Sequence, residues 1–145
     1  MRKGFTLVET LITIGIMAML ATISVVSFGN YTKRESLYAS SSALSATIRE
    51  ARSRTLASLG GYAYGVKIDA DRFTLFKGTT FSSSTADASY IFPSSVRAST
   101  TVNTFVFARV TGNSSASGTI DIYLASDPAV KKSFLLELTG LVTIQ

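Results

Sequence analysis

The sequence contains no cysteine and no histidine among its 145 residues. Without cysteine it has no disulfide and no thiolate that could bind a metal or attack a substrate. Without histidine it lacks the commonest general base and the commonest metal ligand of proteins. Charge is sparse as well: 16% of the residues are charged, and the net charge of +5 includes Arg2 and Lys3. These absences argue against an enzyme, predict no cofactor and no metal, and give weak grounds for a nucleic-acid partner.

What the sequence does contain is a long apolar segment near its start. Between residues 5 and 28 the only charged residue is Glu9. A helix rises about 1.5 Å per residue, so this segment is long enough to cross about 30 Å of hydrocarbon. A cleaved secretory signal normally has a shorter apolar region that ends in a small-x-small site, and no A-x-A pattern appears here. A plain membrane anchor explains the length and the basic Arg2 and Lys3, which would stay cytoplasmic.

Glu9 is the feature that a plain anchor leaves unexplained. A carboxylate within an apolar span costs about 2–3 kcal/mol or more near the bilayer centre, and less toward its edge. An ionisable residue in such a segment therefore indicates a functional site with a specific partner.

The residues around Glu9 form the pattern Lys3-Gly4-Phe5-Thr6-Leu7-Val8-Glu9, followed by the apolar run. This pattern resembles the N-terminus of type IV pilins and of type II secretion pseudopilins. The resemblance implies that residues 1–4 are a basic leader, which a prepilin peptidase removes by cutting the Gly4–Phe5 bond. It also implies N-methylation of Phe5 and makes Glu9 the glutamate near the start of the mature chain that is typical of the family.

A charge argument gives Glu9 a partner within this family. Cleavage would create a positively charged amine at Phe5, and that amine needs a negative partner when apolar helices bundle in a filament. Glu9 of an adjacent subunit would supply it, and Glu9 of the same chain lies one helical turn away. A buried pair adds little net stability, but leaving either charge alone costs several kcal/mol. The predicted assembly pair of Glu9 and the Phe5 amine would therefore also set register.

Residues 29–60 predict an amphipathic continuation of the same helix. Larger apolar side chains recur at spacings of three, four and seven, and charged residues lie off this stripe. The stripe comprises Tyr31, Leu37, Tyr38, Leu44, Ile48, Ala51, Leu56 and Leu59. Gly60 and Gly61 signal a stop, so one helix is expected from about residue 5 to residue 58, with Gly29-Asn30 as its weak point. Many major pilins carry a proline in the apolar half, and its absence here favours a minor subunit.

After Gly61 the apolar period changes to two, which predicts about seven short strands in residues 61–145. They are expected at 62–68, 73–76, 90–92, 104–110, 119–124, 133–138 and 141–145, with turns at 69–71 and Thr139-Gly140 and polar loops at 81–89 and 111–118. The predicted fold class is α+β, a long N-terminal helix packed against a C-terminal antiparallel sheet. The predicted organisation is a leader at 1–4, a transmembrane and filament-core helix at 5–28, its amphipathic half at 29–60 and a β-rich head at 61–145.

The order of elements in the head resembles GspH-type minor pseudopilins and FimT-like minor pilins. The similar features are Arg49-Glu50-Ala51-Arg52 late in the helix, the hairpin after Gly61, the stretch 107–120 and a terminal strand after a glycine turn. FimT-like relatives often end in a Gly-Arg turn whose arginines meet DNA phosphates, but residues 140–145 contain no basic residue. The candidates for weak, salt-sensitive DNA contact are therefore Arg97, Arg109, Lys131 and Lys132. A solvated basic surface is the more ordinary explanation for these four.

Two further patterns favour structural explanations. Asp69-x-Asp71 lies between predicted strands with no third ligand in sight, so a turn is favoured over a metal site. No G-x-S-x-G pattern and no histidine base accompany the serines, which disfavours a serine nucleophile.

Residues and resemblance together predict a minor pilin or pseudopilin, a structural subunit of a type IV pilus or type II secretion filament. The alternative is a FimT-like minor pilin that captures DNA, and a membrane-anchored enzyme is disfavoured. The implied partners are prepilin peptidase, other pilin subunits through the N-terminal helix, and the membrane, with DNA as an unfavoured addition. The implied location is the bacterial cytoplasmic membrane, crossed once with the head outside, and then an extracytoplasmic filament.

Overall fold

The computed structural model describes residues 6–145, with the side chains of residues 23–28 and 30 left outside the description. It divides into two compact units, Met1–Arg34 and Glu35–Gln145. Helix α1 spans Leu7–Leu56 and includes the predicted weak point at Gly29-Asn30. The described residues form a long helix followed by antiparallel strands, which confirms the predicted α+β class.

Three residues just after the end of α1 have a left-handed backbone conformation. The φ angles of Ser58, Gly60 and Gly61 are 49°, 62° and 74°. Glycine adopts this conformation at little cost because it has no Cβ. A short 3-10 turn at Leu59–Gly61 then leads into the first strand, so the predicted glycine stop is confirmed.

Two four-stranded antiparallel sheets follow the helix. The strands are β1 (Tyr64–Ile68), β2 (Arg72–Lys77), β3 (Ala86–Ile91), β4 (Val96–Thr100), β5 (Thr104–Val106), β6 (Gly118–Leu124), β7 (Asp127–Leu136) and β8 (Val142–Ile144). The first sheet has the spatial order β3-β2-β1-β5, and the second has the order β4-β6-β7-β8. The predicted β1–β2 hairpin is confirmed, with Ile68 opposite Phe73 beside the turn.

Several strand boundaries differ from the prediction. Residues 86–89, predicted as loop, form the start of β3 because they pair with β2, and the Thr74 and Ser89 hydroxyl oxygens lie 2.8 Å apart. The predicted strand at 104–110 ends at Val106, since the chain then turns and the Gly112 N–H donates to the Ala108 carbonyl at 2.8 Å.

Strands β4 and β7 also differ from the prediction. Strand β4 is not predicted, and β7 begins at Asp127 rather than at residue 133. Each has one large apolar residue where the prediction fails, Val96 in β4 and Val130 in β7. Pairing with β6 therefore creates strand structure that a run of large apolar residues does not mark.

One apolar cluster joins α1 to both sheets. Of the predicted helix stripe, Leu37, Leu44, Ile48 and Ala51 are buried, as expected. The other predicted members are exposed: Tyr31, Tyr38, Leu56 and Leu59. Their places on the buried face are taken by small polar residues, Ser40, Ser41 and Thr55.

Thr55 connects the end of α1 to the first strand. Its side chain is fully buried. Its Oγ1 donates to the Ala51 carbonyl at 2.8 Å and accepts the Tyr64 N–H at 2.9 Å. The hydroxyl thus satisfies a backbone donor that would otherwise be buried alone.

We expect Thr55→Val to lower the free energy of unfolding by about 1–3 kcal/mol, because the Tyr64 N–H loses its acceptor. Denaturant unfolding of the full chain in detergent micelles would measure the change. Thr47→Val, at a partly exposed position of the same helix, is the matched control. An equal loss in both variants would show that the Tyr64 hydrogen bond contributes nothing specific.

Candidate functional site

The predicted leader and cleavage site lie outside the described residues. This applies to Arg2 and Lys3, to the Gly4–Phe5 bond, and to the methylated amine of Phe5. These assignments stay predictions of the sequence. The structure describes the chain from Thr6 onward and therefore includes Glu9.

Thr6 caps the N-terminus of α1. Its Oγ1 accepts the backbone N–H of Glu9 at 3.3 Å, and the helix begins at the next residue, Leu7. Thr6 and Glu9 have the spacing of a capping box, in which a threonine is followed three residues later by a glutamate. An acid in the first turn also interacts favourably with the positive end of the helix dipole. This capping role was not predicted from the sequence, although the Thr-x-x-Glu spacing is the signal for it.

The first turns of α1 expose apolar side chains in all directions. Nine of them have exposed fractions of 54% to 75%: Leu7, Val8, Leu11, Ile12, Ile14, Ile16, Met17, Met19 and Leu20. A helix that is apolar all round is normally enclosed by lipid or by other helices, and exposed apolar surface of this extent marks an interaction site.

The predicted membrane span at 5–28 falls partly on residues whose side chains are not described. Within the described part of the chain, no helix reaches the length and apolarity needed to cross a membrane.

Threonine hydroxyls in the apolar segment are satisfied by the helix itself. Thr10 donates to the Leu7 carbonyl at 2.8 Å. Thr13 and Thr22 likewise donate to the carbonyls of residues 10 and 18, at 2.9 and 2.7 Å. Such bonds remove the need for water around these groups. Glu9 differs, because it is the one charged residue in 6–22 and its carboxylate has no partner among the described residues.

Two of the four candidate DNA-contacting cations lie on one face of the second sheet. Arg97 and Lys131 both pair with Tyr123 in register, from opposite sides. Each is already engaged: Arg97 donates to the Val96 carbonyl at 2.8 Å, and Lys131 Nζ lies 2.8 Å from Asp121 Oδ2. The hydrogen bond from Lys131 holds the pKa of the Asp121 carboxyl below its usual range.

The other two cations lie elsewhere. Lys132 follows Lys131 in β7 and so faces the opposite side of the sheet, where its Nζ is 5.1 Å from the centroid of the Tyr38 ring. Arg109 lies on the turn after β5, and no hydrogen bond or ion pair of its side chain is found within the described residues. The four cations therefore do not form one positively charged face.

Asp69 and Asp71 are each paired with a neighbouring cation. Lys67 Nζ lies 3.2 Å from Asp69 Oδ1, and Arg72 Nη2 lies 2.9 Å from Asp71 Oδ2. The hydrogen bond from Arg72 lowers the pKa of Asp71. Both carboxylates thus interact within the β1–β2 hairpin, in agreement with the turn that the sequence favours.

Arg52 holds two glycine turns together, a role that was not predicted from the sequence. Its Nε donates to the Gly112 carbonyl at 3.1 Å, and its Nη2 donates to the Thr139 carbonyl at 3.4 Å. Gly140 has a φ of 76°, and a Cβ there would meet the Gly112 carbonyl. The predicted Thr139-Gly140 turn is therefore confirmed and is fixed to the last turns of α1.

Comparisons with known proteins bear on the N-terminal pattern and on the fold. Residues 1–25 match the family model of the prokaryotic N-terminal methylation motif. The fold is similar to that of the type IV minor pilin FimU of Pseudomonas aeruginosa, at 16% identity over 79% of this chain and 92% of that chain, with a TM-score of 0.63. It is also similar to the minor pseudopilin EpsH of the type 2 secretion system of Vibrio cholerae, at 12% identity over 75% of this chain and 95% of that chain, with a TM-score of 0.57. No curated protein sequence gives a significant match.

At these identities the solved structures establish the fold, and the methylation motif is established independently by the family model. Together they confirm the resemblance that the N-terminal pattern indicates. The chain therefore carries the prokaryotic N-terminal methylation motif and has a fold similar to those of a type IV minor pilin and a minor pseudopilin.

Proposed function

We propose that the chain is a minor pilin or pseudopilin, a structural subunit of a type IV pilus or type II secretion filament. The observation that carries the proposal is the combination, in one chain, of the methylation motif at residues 1–25 with a pilin-like fold. Two solved proteins with similar folds are a minor pilin and a minor pseudopilin. The DNA-capturing alternative is not adopted, because the four candidate cations lie on different surfaces and two of them are engaged by oxygen atoms.

In this proposal the leader directs membrane insertion and processing. Arg2 and Lys3 stay on the cytoplasmic side of the membrane, prepilin peptidase cuts between Gly4 and Phe5, and the new amine is methylated. The apolar start of α1 is held in the membrane with the head outside the cytoplasm. It then packs among the helices of other subunits in the filament. The exposed apolar side chains and internally bonded threonines support both environments, since each is poor in water.

Glu9 has two separable roles in this proposal. Its backbone N–H is used by the Thr6 cap, so helix initiation does not depend on its carboxylate. The carboxylate remains available for the amine of Phe5 in an adjacent subunit. Pairing removes the cost of a lone charge in the apolar filament core, which is several kcal/mol.

Leader processing tests the proposal directly. When the full chain is co-expressed with a prepilin peptidase, we expect its intact mass to fall to that of residues 5–145 plus one methyl group. Gly4→Ala should retain the leader, because the family's peptidase cuts after glycine. Lys3→Arg, which keeps the leader charge, should be processed normally.

Mass spectrometry of membranes with and without the peptidase separates the outcomes. An uncut wild-type chain in the presence of an active peptidase would contradict the proposed function. Normal cleavage of Gly4→Ala would show that Gly4 is not recognised, without affecting the assignment of the fold.

A further inference from the structure

A recess of about 680 Å³ lies on the first sheet, on the face turned away from the core, within the unit Glu35–Gln145. Strand β5, the turn that follows it and the residue before β1 border the recess. A volume of this size is typical of sites that bind small molecules. The lining residues that define its chemistry are Ala63, Val106, Ala108, Arg109, Asn113 and Ser115.

Strand alternation explains which side chains reach the recess. After β5 the chain continues into a short hairpin in which Phe107 pairs with Ser114. Both of these side chains are buried on the core side. Since successive side chains along a strand point to opposite faces, the residues before and after this pair face away from the core. These outward-facing residues are Val106, Ala108, Asn113 and Ser115.

The floor of the recess is apolar and consists of short side chains, those of Ala63, Val106 and Ala108. The backbone of the hairpin is already engaged beneath them. The Ala108 N–H donates to the Asn113 carbonyl, and the Ser115 N–H donates to the Val106 carbonyl, both at 2.8 Å. The floor therefore offers a ligand mainly apolar contact.

The rim of the recess presents one positive charge and several hydrogen-bond donors. Arg109 is exposed, and its guanidinium has no ion pair in the part of the chain that the structure describes. Ser115 Oγ accepts the Val106 N–H at 3.1 Å, which leaves its hydroxyl hydrogen available for a ligand. The Asn113 carboxamide adds two N–H donors. Among the described residues no aspartate or glutamate lines the recess, so its rim favours an anion.

The balance of charge and apolar surface narrows the kind of anion. A guanidinium binds a carboxylate through two parallel hydrogen bonds, and one arginine compensates one negative charge. A phosphate group carries more than one charge at neutral pH, and a nucleic acid would bring several phosphates to this single cation. An anion without an apolar body would leave the floor uncovered. The recess therefore fits a carboxylate that is attached to an apolar group.

We infer that this recess binds a compact organic carboxylate with an apolar body. The carboxylate lies at Arg109, where the Ser115 hydroxyl and the Asn113 carboxamide also donate to it. The apolar body covers the floor at Val106 and Ala108. The inference does not rest on the proposed filament function, since residues of the head alone form the site.

The probe is 4-phenylbutyrate, which is titrated into the ¹⁵N-labelled full chain in micelles of a non-ionic detergent. We expect the backbone amide resonances of Arg109, Asn113 and Ser115 to shift together and to saturate. Arg109→Gln should weaken binding by about tenfold or more, because the carboxylate loses its cation. Arg34→Gln removes the same charge from an exposed position of α1 and should leave binding unchanged.

Altered probes keep the test independent of variants that fail to fold. 4-Phenylbutylamine reverses the charge and acetate lacks the apolar body, so each should bind about tenfold more weakly or worse. The inference is overturned if none of the three resonances shifts at millimolar 4-phenylbutyrate, if Arg109→Gln binds it like the wild-type chain, or if either altered probe binds equally well. It is also overturned if a blocked peptide that contains phenylalanine and aspartate binds more tightly, since the ligand would then be a polypeptide.

Discussion

Replacing Gly65 by valine should unfold the sheets of the second unit at temperatures where the wild-type chain is folded. Gly65 lies in β1 between β2 and β5, with Phe76 and Val106 as its register partners. A Cβ at this position would lie 2.8 Å from Phe76 Cε1 and 2.6 Å from the Phe105 carbonyl oxygen. Phe76 is fully buried, so its ring covers the glycine and has no room to retreat.

The size of the effect follows from this packing. Overpacking a well-filled core costs about 1–3 kcal/mol and sometimes more, and here the backbone of β5 blocks one direction of relief. That cost is large against the total stability of a small domain, about 5–15 kcal/mol. Valine adds two further methyl groups beyond the Cβ, which places it at the upper end of the range.

Thermal unfolding of the full chain in micelles, followed by near-ultraviolet circular dichroism of the aromatic core, would measure the loss. Gly29→Val is the matched control, because among the described residues nothing outside the backbone of its own helical turns lies within 4 Å of a Cβ built at Gly29. A Gly65→Val chain that unfolds cooperatively at the wild-type temperature would show that the close approach of Phe76 is not required.

Glu9→Gln should nearly abolish entry into filaments while leaving helix formation and leader cleavage unchanged. The Thr6 cap uses the backbone N–H of residue 9, so glutamine and alanine both preserve it. Either substitution would leave the amine that the proposed cleavage creates at Phe5 without a negative partner in an apolar core, which costs several kcal/mol. Since about 1.4 kcal/mol corresponds to a factor of ten, we expect incorporation to fall by about a hundredfold or more.

The measurement compares the chain in sheared filaments with the chain in membranes, by quantitative immunoblotting. Glu35→Gln is the control, because it removes one carboxylate from the exposed part of α1 and should assemble normally. Glu9→Ala should behave like Glu9→Gln and should still insert into the membrane. Entry of either variant at the wild-type rate would show that the charge pair does not drive assembly.

The parts of the fold that the sequence predicts are those in which apolar side chains mark one face. The amphipathic half of α1 and the β1–β2 hairpin are of this kind. Strand β4 and the first half of β7 each have a single large apolar residue, Val96 and Val130, and their structure is stabilised by pairing with β6. Ser41 and Thr55 also escape prediction, because a small polar residue gives no sign of whether it lies on a buried face.

Functional features can be predicted from the sequence when the residues that form them are close together in the chain. The methylation motif is contiguous and is readily identified, and the Thr6–Glu9 cap has a spacing that could have been identified. The positions of the cations depend on register: Lys131 and Lys132 are adjacent in the chain but lie on opposite faces, whereas Arg97 and Lys131 are distant in the chain and share a face. Only the paired sheets reveal which charges can act together.

The hydrogen bonds of Arg52 have a consequence for the order in which the chain folds. They join residues that are 60 and 87 positions apart in the sequence. Contacts of such long range close large loops, so they form slowly and late. During synthesis the helix emerges first, but Arg52 finds its second acceptor only when Thr139 has left the ribosome. The Thr139-Gly140 turn is therefore expected to join the fold well after α1 has formed.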